Sequence, residues 1–280
     1  MRYLDNGGVS LALETRGSGR HRLLFVHGWI SSRRIFYEVT ARLDPARYTS
    51  HLLDLRGAGL SDRPTEGHDL DGYASDLRTA LEAVGGPVDL IAHSMGGKVA
   101  QYVALTPPPN LRRLVLVAPG TARAYVSSAR HRALAEGAFG SRIRIERFQR
   151  AAMVRDIAPD AMERLIDDAL VAQRESWFGW YDRGRAVDFS DRVGQIAIPT
   201  IVIAGNRDPL APLARLRRDV ASAIPGAVFV SLRDVGHNIP VEAPTELAGI
   251  IERLEQDQRS GATPATAQNL SAAAGTKPAS

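Results

Sequence analysis

The segment Leu90-Ile91-Ala92-His93-Ser94-Met95-Gly96-Gly97-Lys98-Val99 is an apolar strand that turns directly into a helix, with a serine at the turn. A serine in such a turn sits on strained backbone that pushes its hydroxyl out at the carboxyl edge of a sheet. The turn is tight enough that the residues two before and two after must be small, and Ala92 and Gly96 are. A serine hydroxyl is a poor nucleophile at neutral pH unless a base takes its proton during attack. Of the seven histidines only His237 follows the last strand-like run, in Gly236-His237-Asn238-Ile239-Pro240. Asp208, in Gly205-Asn206-Arg207-Asp208-Pro209, follows an earlier strand and could hold that imidazole in one tautomer. Taken singly, His237 also reads as a turn histidine and Asp208-Pro209 as a turn former.

These side chains meet only if the intervening chain builds a sheet. Short apolar runs alternate with helix-period segments, which implies a mostly parallel sheet covered by helices. Strands are expected at Arg2–Asp5, Val9–Thr15, Leu23–Val26, His51–Leu55, Val88–Ala92, Leu114–Ala118, Thr200–Ala204 and Val228–Leu232. The first two would pair across Asn6-Gly7-Gly8. Leu70, Tyr73, Leu77, Leu81 and Val84 recur at spacings of three and four and predict a helix over 70–84. Further helices are expected from Met95 to the stop at Pro107-Pro108-Pro109, near Pro212–Ala223 and near Pro244–Gln256. Residues 120–198 hold no strand-like run, too long a stretch for a structureless loop, and read as an inserted helical cap. The core is then 1–119 with 199–258. From Arg259 to Ser280, Ala, Ser, Thr, Gly and Pro fill 17 of 22 positions, so a disordered tail is expected.

Composition narrows the chemistry. The chain has 280 residues, 44% hydrophobic and 24% charged, and no cysteine, which removes disulfides, cysteine-ligated metals and thiol nucleophiles. Net charge is +4, and lysine contributes only Lys98 and Lys277 to the 35 basic residues. That mild excess does not call for a nucleic-acid partner, which needs a basic stripe on one face. No secretory signal and no apolar run of membrane-spanning length is visible, so the default expectation is a cytoplasmic protein without a membrane span. No pair of histidines has metal-ligand spacing, and Gly57-Ala58-Gly59 lacks the third glycine of a dinucleotide loop, Asp62 standing in its place. No metal and no cofactor are expected.

With these residues in view, the sequence resembles the α/β-hydrolase family over about residues 1–258. The resemblance rests on His27-Gly28-Trp29 after the third strand, Asp54-Leu55-Arg56-Gly57-Ala58-Gly59-Leu60-Ser61 after the fourth, the serine turn, and the Asp208 and His237 loops in the order Ser, Asp, His. Ala92 stands where glycine is more usual, and Ala58 where histidine is common. The resemblance implies a twisted, eight-stranded, mostly parallel sheet with an inserted helical cap. It assigns Ser94 as nucleophile, His237 as base and Asp208 as the acid that orients it. The alternative acid position, after Leu114–Ala118, reads Pro119-Gly120-Thr121 and offers no carboxylate. A tetrahedral intermediate needs preorganised donors. The Met95 N–H lies at a helix N-terminus, and by resemblance the Trp29 N–H is the second donor.

The resemblance points to a serine hydrolase cleaving a carboxylic ester of a small to medium, largely apolar substrate through an acyl-enzyme. The same triad serves carbon–carbon hydrolases, lactonases, thioesterases and cofactor-free perhydrolases, and some family members are small-molecule receptors with a vestigial site. An aspartate at position 94 would instead suggest dehalogenase or epoxide hydrolase chemistry. Trp29, His93, Trp177 and Trp180 are candidates for the pocket lining. His27 and His93 read as hydrogen-bonded structural histidines rather than second bases. Asp54 and Arg56 read as ion-pair or loop braces. Residues 121–160 hold eight arginines against four acids, among them Arg142, Arg144, Arg147 and Arg150. They could steer anionic substrates, although a solvated helix face explains them more simply.

Overall fold

A computed structural model describes residues 1–125 and 129–259. Its centre is one eight-stranded sheet: β1 Arg2–Asn6, β2 Val9–Arg16, β3 His21–Val26, β4 Tyr48–Leu53, β5 Val88–His93, β6 Leu111–Val117, β7 Thr200–Gly205 and β8 Val228–Leu232. The spatial order is β1-β2-β4-β3-β5-β6-β7-β8. Gly7 and Gly8, both at positive φ, turn β1 back on β2, the backbone a two-residue hairpin requires. β2 also runs antiparallel to β4, while β3 to β8 are parallel.

Parallel strands need helical crossovers, and those helices bury both faces of the sheet. Alternate side chains therefore serve two cores. Leu24, Val26, Leu90 and Ala92 pack into one cluster, while Leu23, Phe25 and Ile91 pack into the other. The helix Leu70–Val84 occupies the residues its periodicity predicts, capped by the Asp69 carboxylate accepting from Gly72 N–H and closed by Gly85 at φ +63°. Between β6 and β7, helices cover Ala129–Ala138, Arg142–Ala151, Pro159–Leu170 and Arg174–Gly179, with no strand among the described residues. This insertion has its own apolar cluster around Ile145, Met162, Ile166 and Trp177. The expected tail falls outside the described residues beyond Arg259, where the helix Pro244–Arg259 ends. No described helix is long and apolar enough to cross a membrane.

The structure departs from the sequence reading at several edges. β6 begins at Leu111 rather than Leu114, because Arg112 and Arg113, which look like loop residues, pair with Asp89 on the neighbouring strand. The helix expected over 212–223 is a short turn, Leu213–Leu216, continuing as a π-turn over Arg217–Ala221. A 3-10 turn at Arg33–Phe36 and the single helical turn Tyr37–Thr40 had no sequence counterpart, being too short to show a period. β4 starts at Tyr48 and ends at Leu53, leaving Asp54 and Leu55 in the loop.

That ending has a cause. The Asp54 carboxylate, fully buried, accepts from the N–H groups of Arg33 (2.7 Å) and Leu60 (2.9 Å) and pairs with the Arg33 guanidinium. It thereby braces the loop after β3 against the loop after β4. Truncating one partner of a buried ion pair typically costs several kcal/mol, because the other charge is left unmatched. Arg33 keeps a second carboxylate, Glu14, at 2.8 Å. Asp54→Ala is therefore expected to destabilise the fold by about 3 kcal/mol, at the low end of that range. Denaturant unfolding of the two proteins measures the difference.

Candidate active site

The last residue of β5, His93, pairs with Val117 of β6, and the chain then turns at Ser94. Ser94 has φ 51° and ψ −113°, a conformation that L-residues rarely adopt and that costs of order 1–3 kcal/mol. It holds because its backbone is bonded on both sides. Ser94 N–H donates to Val117 O at 3.0 Å, and Ser94 O accepts from Gly97 at 2.9 Å and Gly120 at 2.8 Å. The neighbouring glycines are packing requirements. A Cβ at Gly96 would lie 2.6 Å from His27 O, and one at Gly97 would lie 2.6 Å from Pro119 Cβ. The loop after β3 thus passes directly over the helix Met95–Ala104.

The structure brings Ser94, His237 and Asp208 into one hydrogen-bonded chain. His237 Nε2 is 2.8 Å from Ser94 Oγ, and His237 Nδ1 is 2.8 Å from Asp208 Oδ2. A carboxylate only accepts, so Nδ1 carries the proton and Nε2 accepts from the serine hydroxyl. Asp208 Oδ1 takes the N–H groups of Leu210 (2.7 Å) and Ala211 (2.8 Å). Burial would raise the Asp208 pKa, but the facing imidazole and these donors hold it below the usual carboxylate value. Burial likewise works against a charged His237. The Asp208 charge and hydrogen bond outweigh it, leaving the His237 pKa above 6.5.

His93 lies beside this chain. Its Nε2 donates to the His237 carbonyl at 3.0 Å, fixing the loop that carries the base. Burial, reinforced by the nearby His237, pulls its pKa down to about 3, so it is neutral, and its Nδ1 has no partner. His27 spans Gly28 O (2.7 Å) and Leu55 N–H (3.1 Å) and is a loop brace. Arg56 pairs with Asp76 at 2.7 Å, not with Asp54.

Glu242 had no place in the sequence reading. Its buried carboxylate accepts from Gly236, Asn238, Val154 and Arg155 N–H groups at 2.8–3.1 Å. It ties the His237 loop to the helical insertion, which also accepts the His237 N–H at Ala152 O (2.8 Å). The signal lay in Gly236, whose Cβ would be 2.9 Å from Glu242 Oε1 and 2.6 Å from Ala152 O.

A cavity of about 180 Å³ opens over Ser94 and His237, between the sheet edge and the insertion. Trp29, His93, Met95 and Trp180 line it. Met95 is the first residue of its helix, so its N–H has no acceptor within that helix. Trp177 is a correction: it does not line the cavity. It is 1% exposed, its Nε1 donates to Ala135 O at 3.1 Å, and its backbone carbonyl accepts from Trp29 Nε1 at 2.9 Å. A large aromatic beside a site is indistinguishable in sequence from the packing behind it. The arginines at 142, 144, 147 and 150 are all exposed and face solvent, with Glu163 pairing Arg142 and Glu146 pairing Arg150. Among the described residues no group of three His, Asp or Glu could hold a metal ion.

A family model described as the alpha/beta hydrolase fold matches residues 21–244. The AB hydrolase superfamily protein YisY of Bacillus subtilis is 24% identical over 257 residues, covering 88% of this chain and 95% of that protein. The non-heme chloroperoxidase CPO-A1 of Kitasatospora aureofaciens is 26% identical over 248 residues, covering 83% and 90%. Among solved structures, the esterase EaEST from Exiguobacterium antarcticum superposes with a TM-score of 0.81 at 20% identity, over 90% of this chain and 97% of that one.

Proposed function

The chain is an enzyme of the alpha/beta hydrolase fold family, and from that membership we propose that it is a serine hydrolase cleaving carboxylic esters through an acyl-enzyme on Ser94. The observation that carries this reading is the unbroken relay from Asp208 through His237 to the Ser94 hydroxyl, both links at 2.8 Å. Ser94 Oγ attacks the ester carbonyl while His237 Nε2 takes its proton. The carbonyl oxygen becomes an oxyanion facing the Trp29 and Met95 N–H groups, where the helix N-terminus adds a favourable dipole. Collapse breaks the ester C–O bond, and the imidazolium returns the proton to the departing alkoxide. Water, deprotonated by the same imidazole, then releases the acid and regenerates Ser94.

Labelling tests the nucleophile directly. A fluorophosphonate loses fluoride to an activated serine and leaves a stable phosphonyl ester. The folded protein is expected to gain one adduct, mapped to the peptide containing Ser94, and Ser94→Ala to gain none. No adduct, or an adduct elsewhere, would remove the proposal. The similarity to a protein named a non-heme chloroperoxidase supports a second reading. In it hydrogen peroxide replaces water in the last step and a peracid leaves; peracid formation in peroxide with a carboxylic acid measures it.

A further inference from the structure

The wall of the cavity carries four cationic side chains, Lys98, Arg123, Arg185 and Arg215, and no aspartate or glutamate. The cations do not all have the same work. Lys98 is buried and spends its three donors on the carbonyls of Arg123 (3.3 Å), Arg185 (3.2 Å) and Val187 (2.6 Å). It pins both ends of the insertion to the helix that follows Ser94. Arg123 is 63% exposed and lies 3.5 Å from Asp219.

Arg185 and Arg215 are different. The Arg185 guanidinium stacks on the rings of Tyr125 and Tyr181, 4.4 Å from each centroid, and no described carboxylate pairs with it. Arg215 stacks on the same Tyr125 ring at 5.3 Å, and its hydrogen bond is a long one, 3.4 Å to Leu210 O. The acids three and four residues further along the chain, Asp188 and Asp219, are bonded to other groups. Asp219 is held by two bonds from Arg218, at 2.7 and 2.8 Å, and Asp188 by Ala124 N–H and by Ser190. Neither lines the cavity. Two guanidiniums sharing one tyrosine ring repel each other. Stacking uses their faces and, the single long Arg215 bond to Leu210 O aside, leaves N–H donors available, and a guanidinium edge matches a carboxylate. Around them Leu210, Leu216 and Trp180 are apolar, which suits a carboxylate carried on a hydrocarbon chain.

We infer that the substrate is an ester bearing a second, free carboxylate, which Arg185 and Arg215 bind on the wall of the cavity that also holds Ser94. This rests on the hydrolase reading above and names the substrate class for that site.

The test is a matched series: monomethyl esters of straight-chain dicarboxylic acids, their neutral dimethyl esters, and p-nitrophenyl butyrate. The wild-type enzyme is expected to favour one of the half-esters over its diester by at least about 10-fold in kcat/KM, mostly through KM, because the hydrogen bonds from guanidinium to carboxylate are charge-assisted and the diester cannot make them. Raising sodium chloride from 20 mM to about 0.5 M should shrink that preference, as screening predicts. R185Q and R215Q should each bring the ratio of half-ester to diester close to one, and R185K, which keeps the charge without the fork, should fall between. R215Q lies outside the insertion and reads the same site if R185Q loosens the cap. Calorimetry on Ser94→Ala, with the half-ester as titrant, should show binding that Arg185→Gln removes. Equal use of half-ester and diester by the wild type, or equal losses on both in the variants, overturns the inference while the hydrolase reading stands. No cleavage of any ester overturns the hydrolase reading, and the calorimetric result then decides the anion site by itself.

Discussion

Ser94→Ala is expected to lower kcat/KM on p-nitrophenyl butyrate by about 10⁴- to 10⁶-fold, with His237→Ala close behind and the double variant little worse than either. The shared loss follows from the geometry: one proton moves along one path, so breaking that path at either atom stops the same step. Alanine keeps the Cβ that already occupies the strained φ of 51° at position 94, so the backbone cost is unchanged. The core on both sides of the sheet does not involve the hydroxyl. Steady-state rates, read beside far-UV circular dichroism and an unfolding curve, separate lost chemistry from lost fold. A variant retaining a tenth of the rate would sink the acyl-enzyme mechanism.

Asp208→Asn should cost about 10⁴-fold, as the matching change does in serine proteases, and here the hydrogen bonds say why. Leu210 and Ala211 N–H both donate to Oδ1, so the amide oxygen of an asparagine must stay on that side. Its NH₂ then faces His237 Nδ1, which has to accept. The ring proton moves to Nε2 and points at Ser94, the wrong tautomer for a base. The pH profile reports the same relay. Because neutral imidazole is the active form, kcat/KM rises as pH rises through the His237 pKa. Burial lowers that pKa, but Asp208 more than offsets the effect, so the midpoint of the rising limb in the wild type is expected above 6.5. In Asp208→Asn, burial acts without the opposing charge, and the midpoint should fall below that of the wild type. Profiles from pH 5 to 9 with a non-ionising substrate measure both. A wild-type limb unmoved by the substitution would show that the titrating group is not this histidine.

Local patterns were legible where the physics is local. The period of Leu70, Tyr73, Leu77 and Leu81 located a helix, and the double glycine after Asn6 located a hairpin. Small residues around Ser94 announced a tight turn, but the groups they make room for, His27 O above Gly96 and Pro119 beside Gly97, lie far away in the chain and only the fold revealed them. The pairing of Arg112 and Arg113 with Asp89 hid the start of β6, since charge in a strand looks like loop until its cross-strand partner is known.

The chain order alone determined the sheet and the three residue types that the relay needs, because strand alternation and turn geometry depend on a few adjacent positions. Only tertiary packing decided the rest. Trp177 turned behind Trp29 instead of into the cavity, Glu242 became the clamp on the His237 loop, and the solvated arginines at 142–150 proved distinct from Arg185 and Arg215 on the wall. Those outcomes turn on how the helices of the insertion are rotated against the sheet edge, which is set by contacts between residues far apart in sequence.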